Sequence, residues 1–138
     1  MPFDFVYITA ASPDQARAIG RILVTERLAA CANVFDGMSS CYWWEGKVTE
    51  ARESVLIAKT RSDLVPSVIA RVKALHSYSV PCVVALRVGK GNPDFLRWIA
   101  DETLPKIGRG RARLRQAAGK RQPRAGAARA KFGARKSR

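Results

Sequence analysis

The first hundred residues alternate between the hydrophobic period of a strand and that of a helix. Phe3 to Thr9 alternate in the two-residue period of a half-buried strand. A helix over residues 13–28 is predicted next, because Ser12 is a favourable N-cap residue and Gln15 completes a capping box. One apolar stripe at helical spacing supports this helix: Ala16, Ile19, Ile22 and Leu23.

A long hairpin is predicted in the middle of the chain. Cys31 to Trp43 favours β structure, with a bulge or bend expected where Asp36 and Gly37 interrupt the pattern. The Glu-Gly pair at residues 45–46 is typical of a tight turn, because its glycine can adopt a positive φ. Lys47 to Lys59 then returns as a second strand, apolar enough at its centre to lie inside a sheet.

A second helix and strand follow, and a short helix ends the pattern. Ser62 opens a helix that is predicted to end near His76, Cys82 to Val88 forms a strand, and Asn92 begins the last helix. The order βαββαβ plus a C-terminal helix predicts an α+β fold of the ferredoxin-like, split-βαβ type, with an antiparallel sheet and a long central hairpin. Iron–sulfur chemistry does not follow, because the closely spaced cysteines that hold a cluster are missing.

Three adjacent aromatic residues stand at the end of the first hairpin strand. Tyr42, Trp43 and Trp44 point alternately to the two faces of a strand, so one core cannot take all three. Large apolar groups on both faces favour a homo-oligomer built through the hairpin. The alternative is a strongly twisted hairpin that wraps around its own helix.

The net charge of +14 is concentrated at the C-terminal end of the 138 residues. Residues 1–103 hold 12 Lys and Arg against 11 Asp and Glu, whereas residues 104–138 hold 13 Lys and Arg and no acid. We therefore predict a near-neutral domain over 1–103 and a basic, disordered tail over 104–138. The tail either binds nucleic acid or another polyanion through phosphate contacts or is simply solvated.

The sequence also suggests a compartment. The N-terminus lacks the basic start and apolar stretch of a signal peptide, and no apolar run is long enough to span a membrane. Three cysteines cannot all pair, so free thiols in a reducing environment are expected. These features predict a cytoplasmic protein without a membrane partner.

Catalytic and metal-binding motifs are sparse. His76 is the only histidine available as a general base, and neither a P-loop nor a dinucleotide fingerprint is present, so we predict that the protein is not an enzyme. Cys31 and Cys41 are interpreted as packed thiols. His76 and Cys82 flank one loop and suit copper or zinc, so they form the candidate metal site. The alternative is a loop histidine that bonds to the backbone.

Three segments carry a resemblance to a known family. "TERLAACANVFDGMSSCYWWEGKV", "LIAKTRSDLVPSVIARVKALHSYSVPCVVAL" and "GNPDFLRWI" closely resemble the CutA family of divalent-cation tolerance proteins, over about Phe5 to Glu102. The resemblance implies a homotrimer whose long hairpins extend the neighbours' sheets, and a role in tolerance of copper and other divalent metals. The architecture is also similar to that of PII signalling trimers, which bind small ligands between subunits.

The candidate site departs from the family pattern. The family's His-Pro-Tyr-Glu-Val-Pro-Glu stands here as His76-Ser-Tyr-Ser-Val-Pro-Cys82, which removes two carboxylates and adds a thiol. Copper(I) or zinc becomes the expected metal, weakly bound, and no cofactor is required. The resemblance places Lys59, Tyr78 and Trp44 near clefts between subunits, where the lysine and tyrosine either hold a small anion or form a structural ion pair.

Three functions are compatible with these observations. The first is a non-enzymatic, homotrimeric copper-tolerance protein that responds to metal ions. The second is a PII-like signalling trimer that binds a small molecule in its clefts. The third is a scaffold whose basic tails hold a polyanion.

Overall fold

The computed structural model describes residues 1–103 and shows four strands and three α-helices. The predicted tail over 104–138 lies outside the described residues. In chain order the elements are β1 (Phe3–Ala10), α1 (Pro13–Thr25), β2 (Cys31–Trp44), β3 (Lys47–Arg61), a single 3₁₀ turn (Ser62–Leu64), α2 (Val65–Leu75), β4 (Val83–Arg87) and α3 (Pro93–Glu102).

The four strands form one antiparallel sheet in the order β2-β3-β1-β4. β3 lies between β1 and β2, so each βαβ half is split by a strand of the other half. This arrangement confirms the predicted ferredoxin-like fold class. β4 is shorter than predicted, covering Val83–Arg87 inside the expected range of 82–88.

The predicted capping box forms at the start of α1. The Ser12 hydroxyl accepts a hydrogen bond from the backbone amide of Gln15 at 3.1 Å. The Gln15 side chain reaches back and accepts from the amide of Ala11, also at 3.1 Å. The first bond satisfies an amide that the helix leaves unpaired, and the second ties down the residue just before the N-cap, so together they fix where the helix begins.

α1 ends earlier than predicted. The helix stops at Thr25 rather than at residue 28, because Arg27 adopts a left-handed conformation with φ of 61°. The amide of Leu28 then donates to the carbonyl of Leu23 at 2.9 Å, and the chain turns into the core. Arg27 is held there by two 3.0 Å hydrogen bonds to Glu102, one to its carbonyl and one to its carboxylate.

The core lies between one face of the sheet and the helices α1 and α2. Gly20 lets α1 approach the sheet closely, since a Cβ at this position would lie 3.0 Å from Leu56 and 3.1 Å from Ala32. The main buried residues of this core are Val6, Ile8, Ala16, Ile19, Leu23, Leu56, Ala58, Val68 and Val72.

The hairpin turns and bends where the sequence predicted. The pairing of β2 with β3 shifts between Phe35 and Met38, and Gly37 in this bulge has a φ of 76°. Glu45 and Gly46 form the turn, with φ values of 50° and 78°. The bulge leaves Phe35 and Met38 on the same side of the sheet, because their partners on β3 are two residues apart.

The side of the sheet away from α1 and α2 is called the open face. The register of paired residues assigns side chains to it, since directly paired residues of an antiparallel ladder share a face. Its members include Phe5, Tyr7, Thr9, Phe35, Met38, Tyr42, Trp44, Glu53, Val55, Lys59, Val84 and Leu86.

The hairpin extends beyond the sheet as a two-stranded arm. The pairing of β1 with β3 ends at Ala10 and Ser54, so residues 38–53, here called the hairpin arm, pair only with each other. A two-stranded hairpin without further cover is only marginally stable in water. The exposed fraction of the residue surface is nevertheless 73% for Trp43 and 47% for Trp44.

Candidate functional site

A cleft of about 630 Å³ lies on the open face, where the hairpin arm leaves the four-stranded sheet. The sheet supplies its floor, and the loop between α2 and β4 supplies one wall. The side chains important for its chemistry are Tyr7, Met38, Tyr42, Trp44, Tyr78 and Cys82, together with the carboxylate of Glu53.

Glu53 and Tyr78 form the polar centre of the cleft. Glu53 is 9% exposed, and its carboxylate accepts a hydrogen bond from the Tyr78 hydroxyl at 2.8 Å. Burial, the hydrogen bond to Glu53 and the charge of Glu53 raise the pKa of Tyr78 to about 12. Tyr78 is therefore an uncharged hydrogen-bond donor at neutral pH, and Glu53 supplies the negative charge.

His76 anchors the wall of the cleft to β1. Its Nδ1 accepts a hydrogen bond from the amide of Tyr78 at 3.0 Å, so Nε2 carries the proton and donates to the carbonyl of Thr9 at 2.7 Å. The rings of His76 and Tyr78 also lie 4.7 Å apart. This is the backbone-bonding arrangement that the sequence left as the alternative to a metal ligand. Coordination through either nitrogen requires the loss of one of these bonds.

Cys82 and His76 both contact Thr9: the carbonyl of Cys82 accepts a hydrogen bond from the amide of Thr9 at 3.4 Å, and the His76 imidazole bonds to the carbonyl of Thr9. Burial raises the pKa of the Cys82 thiol and the charge of Glu53 raises it further, while a hydrogen bond with Thr9 lowers it. Within residues 1–103, no group of three or more His, Cys, Asp and Glu side chains is close enough to hold a metal ion. Metal binding by His76 and Cys82 stays a prediction that needs further ligands from water or another subunit.

Of the three cleft residues predicted from the resemblance, one chain brings together only Tyr78 and Trp44. Lys59 lies six residues along β3 from Glu53, about 20 Å away at ~3.3 Å per residue. Its ammonium group lies 5.3 Å from the ring centre of Phe5 and 5.4 Å from that of Phe95 in α3. The position of Lys59 relative to a neighbouring subunit stays a prediction.

The other two cysteines have different surroundings. Cys31 is half-buried, and burial raises the pKa of its thiol while the nearby charge of Lys59 acts in the opposite direction. Cys41 is exposed on the hairpin arm, so its interpretation as a packed thiol is wrong for the single chain. Among residues 1–103, no third strand pairs with the arm at this position. All three cysteines are free thiols.

Sequence reasoning missed Glu53, the only charged side chain that lines the cleft within the described residues. The available signal was its position directly before the apolar run Ser54 to Ala58, which marks the entry of a strand into the core. Its face depends on the β3 register and on the bulge opposite, which the sequence pattern does not give.

The comparison with protein families agrees with the geometry of the fold. Residues 5–102 match the family described as CutA1 divalent ion tolerance protein. The chain belongs to this family. The divalent-cation tolerance protein CutA of Archaeoglobus fulgidus is 46% identical over 101 residues, covering 73% of this chain and 97% of that protein. The protein of the same name from Thermus thermophilus is 45% identical over 100 residues, covering 72% and 97%.

Solved CutA structures share the fold. The crystal structure of CutA1 from Oryza sativa matches with a TM-score of 0.73 at 40% identity, covering 75% of this chain and 94% of that chain. The Archaeoglobus fulgidus structure, named a periplasmic divalent cation tolerance protein, matches with a TM-score of 0.71 at 43% identity, covering 72% and 97%. Within residues 1–103 of our chain, none of the helices has the length and apolar character needed to cross a membrane.

Proposed function

We propose that the protein works as a non-enzymatic homotrimer in divalent-cation tolerance, assembled through its hairpin arm. The observation that carries the proposal is the set of large apolar side chains exposed on the open face and the arm. Phe35 is 57% exposed, Leu86 is 56% exposed, and Trp44 on the arm is exposed as given above. Large exposed apolar side chains that share one sheet face are typical of a subunit interface.

The edges of the sheet supply the second support for assembly. Among the described residues the sheet ends at β2 on one side and at β4 on the other, so both outer edges have unpaired backbone groups. The arm of one subunit adds to the sheet of the next by strand pairing, while its open-face side chains pack against that neighbour. Three subunits is the number that the family resemblance implies.

Metal handling is proposed to be weak and to use soft ligands. His76 supplies an imidazole and Cys82 a thiol from the two ends of one loop, and both residue types suit copper(I) or zinc. The non-enzymatic assignment is supported by His76 itself, because both of its ring nitrogens are bonded to the backbone and neither is available as a general base. Three free thiols support a reducing, cytoplasmic location.

Ligand binding in the cleft is the second candidate function, as in a PII-like signalling trimer. It is favoured by a cleft whose volume lies in the range of small-molecule sites and whose walls are aromatic. The scaffold function of the tail stays a prediction from the sequence.

Native mass spectrometry of the full chain purified from cytosol tests the first proposal. We expect a trimer as the main species. Added copper(I) should bind substoichiometrically and be lost on mild desalting. A monomer at micromolar concentration would contradict the trimer. A tightly retained metal would contradict the weak site without affecting the trimer.

A further inference from the structure

Two side chains of the open face carry opposite charges, and neither has an opposite charge beside it. Glu53 is nearly buried, and its carboxylate receives one hydrogen bond, from the neutral hydroxyl of Tyr78. Lys59 is half-buried, and its ammonium group lies within 5.4 Å of the centres of two phenylalanine rings. The ion pairs found among residues 1–103 include neither Glu53 nor Lys59.

The two charges cannot meet within one chain. Both residues lie on β3 and share the open face, but six positions along a strand correspond to about 20 Å at ~3.3 Å per residue. Residues 104–138 hold no Asp or Glu, so they cannot supply Lys59 with an acidic side chain either. An Asp or Glu beside Lys59 must therefore come from another chain.

Covering the open face makes both charges more costly. Assembly through this face, as proposed above, removes water from Glu53 and from Lys59. A charge that is taken out of water without a partner is strongly destabilising, whereas an opposite charge at hydrogen-bond distance recovers much of the cost. A stable interface over this face therefore needs an opposite charge from the neighbour at each of the two positions.

The symmetry of a trimer can supply both charges from the same two residues. A closed ring of three uses a heterologous interface, in which one surface of a subunit contacts a different surface of the next. Lys59 lies in the four-stranded part of the sheet, where it pairs with Phe5 and Cys31, and Glu53 lies at the base of the hairpin arm. When the arm of one subunit packs against the sheet of the next, its Glu53 moves toward the region that holds the neighbour's Lys59.

The other charged strand residues of the open face are poorer partners. Among the paired strand residues of the described chain, Glu53 is the only acid on this face. Arg61 shares the face but already forms an ion pair with Asp63 at 2.9 Å. Lys47 is exposed beside the turn of the arm, where its long side chain can keep the ammonium group in water. Lys59 is therefore the cation of this face that needs a partner.

We propose that Glu53 of each subunit forms an ion pair with Lys59 of the neighbouring subunit, so that the trimer contains three such pairs. The proposal rests on the proposed trimer and names the charged contact that determines how its subunits are placed. Arrangements that cover the open face without bringing these two residues together leave a buried charge unpaired and are disfavoured.

A double-mutant cycle on dissociation of the full-chain trimer tests the pair. The midpoint concentration of dissociation is measured by dilution with light scattering for the parent, Glu53→Gln, Lys59→Met and the double variant. Glutamine keeps an oxygen that can accept the Tyr78 hydrogen bond, and methionine keeps an apolar chain against the rings. Each single substitution should raise the midpoint at least about tenfold, because it leaves the other charge buried without a partner. The double variant should raise it no more than either single variant, because no unpaired charge remains.

The sign of the Lys59→Met effect is decisive. If the interface covered Lys59 without giving it a partner, removing the charge should strengthen the trimer and lower the midpoint. The ion pair requires the opposite change, so a lowered or unchanged midpoint overturns the proposal. Glu53→Gln tests the pair from the other side, so the proposal stays testable if one of the two variants fails to fold.

Lys47→Met is the matched control, because it removes the same charge from the same strand and the same face at an exposed position. It should change the midpoint by less than about threefold and should combine multiplicatively with Glu53→Gln. Multiplicative effects of Glu53→Gln and Lys59→Met would overturn the pair and leave the trimer intact. A parent protein that is monomeric at micromolar concentration would contradict the trimer and the pair with it.

Discussion

Replacing Trp44 with alanine should dissociate the trimer, whereas replacing Trp43 should not. The two residues are neighbours on β2 and point to opposite faces of the hairpin arm. Trp44 shares the open face with Phe35 and Leu86, which are exposed and apolar in the single chain. Trp43 lies on the other face, where its cross-strand partner is Val48. The interface is therefore expected to cover Trp44.

The magnitude follows from the exposed area. A tryptophan side chain buries up to about 250 Å², so the 47% exposure of Trp44 leaves about 120 Å² for a neighbour to cover. At about 25 cal/mol per Å², covering it is worth about 3 kcal/mol per subunit and about 9 kcal/mol per trimer. The trimer dissociation constant should rise by about six powers of ten, at ~1.4 kcal/mol for each power.

A dilution series followed by light scattering and sedimentation measures this change. The constant for dissociation of a trimer into three monomers has units of concentration squared. The midpoint concentration follows its square root and should therefore rise by about three powers of ten. Trp43→Ala is the matched control and should stay trimeric at the concentrations where Trp44→Ala dissociates. The double variant should be monomeric or aggregated. A double variant that remains trimeric with unchanged thermal stability would refute assembly through the arm.

Three other outcomes follow from the described contacts. Copper(I) or zinc uptake should be weak and should rise with pH, because burial raises the pKa of the Cys82 thiol, which must lose its proton to bind. Uptake should disappear in the double variant His76→Ala with Cys82→Ser but not in the control Cys31→Ser. Unchanged uptake by the double variant would place the site elsewhere. Peptide mapping without reduction should find no internal disulfide, and a stoichiometric bridge would contradict the cytoplasmic proposal. Thr60→Val should lower the free energy of unfolding in urea by about 1–3 kcal/mol. The substitution leaves the buried carbonyl of Leu28 without the 2.6 Å hydrogen bond that it accepts from the Thr60 hydroxyl. An unchanged urea midpoint would mean that water or another donor replaces the hydroxyl.

Features set by neighbouring residues were predictable from the sequence. The capping box of α1, the bulge at Gly37 and the turn at Gly46 each depend on a few adjacent side chains. The end of α1 was not predictable in this way. Arg27 is not a residue that favours a positive φ, and its guanidinium is bonded to Glu102 at the far end of the described chain. Tertiary contacts therefore set the end of α1 at Thr25, whereas the periodic pattern alone extended the helix to residue 28.

The candidate site was predictable in part. The family resemblance placed Tyr78 and Trp44 in clefts between subunits. In one chain both line the same cleft, and their place relative to a neighbouring subunit stays a prediction. Glu53 was missed and Lys59 was not found with them, although both are on β3. Glu53 and Lys59 are separated because they lie six residues apart on that strand. Which residues of β2 share the face of Glu53 depends on a one-residue shift in pairing at the bulge. Strand register of this kind is set by the whole sheet.

The position of Glu53 connects the cleft with the candidate metal ligand. Its carboxylate is hydrogen-bonded to Tyr78, and its charge raises the pKa of Cys82, so one negative charge acts on both side chains. A metal ion at Cys82 would gain from this charge, because opposite charges attract strongly where water is partly excluded. Metal binding at Cys82 should therefore change the electrostatic surroundings of Tyr78 even though the tyrosine is not a proposed metal ligand.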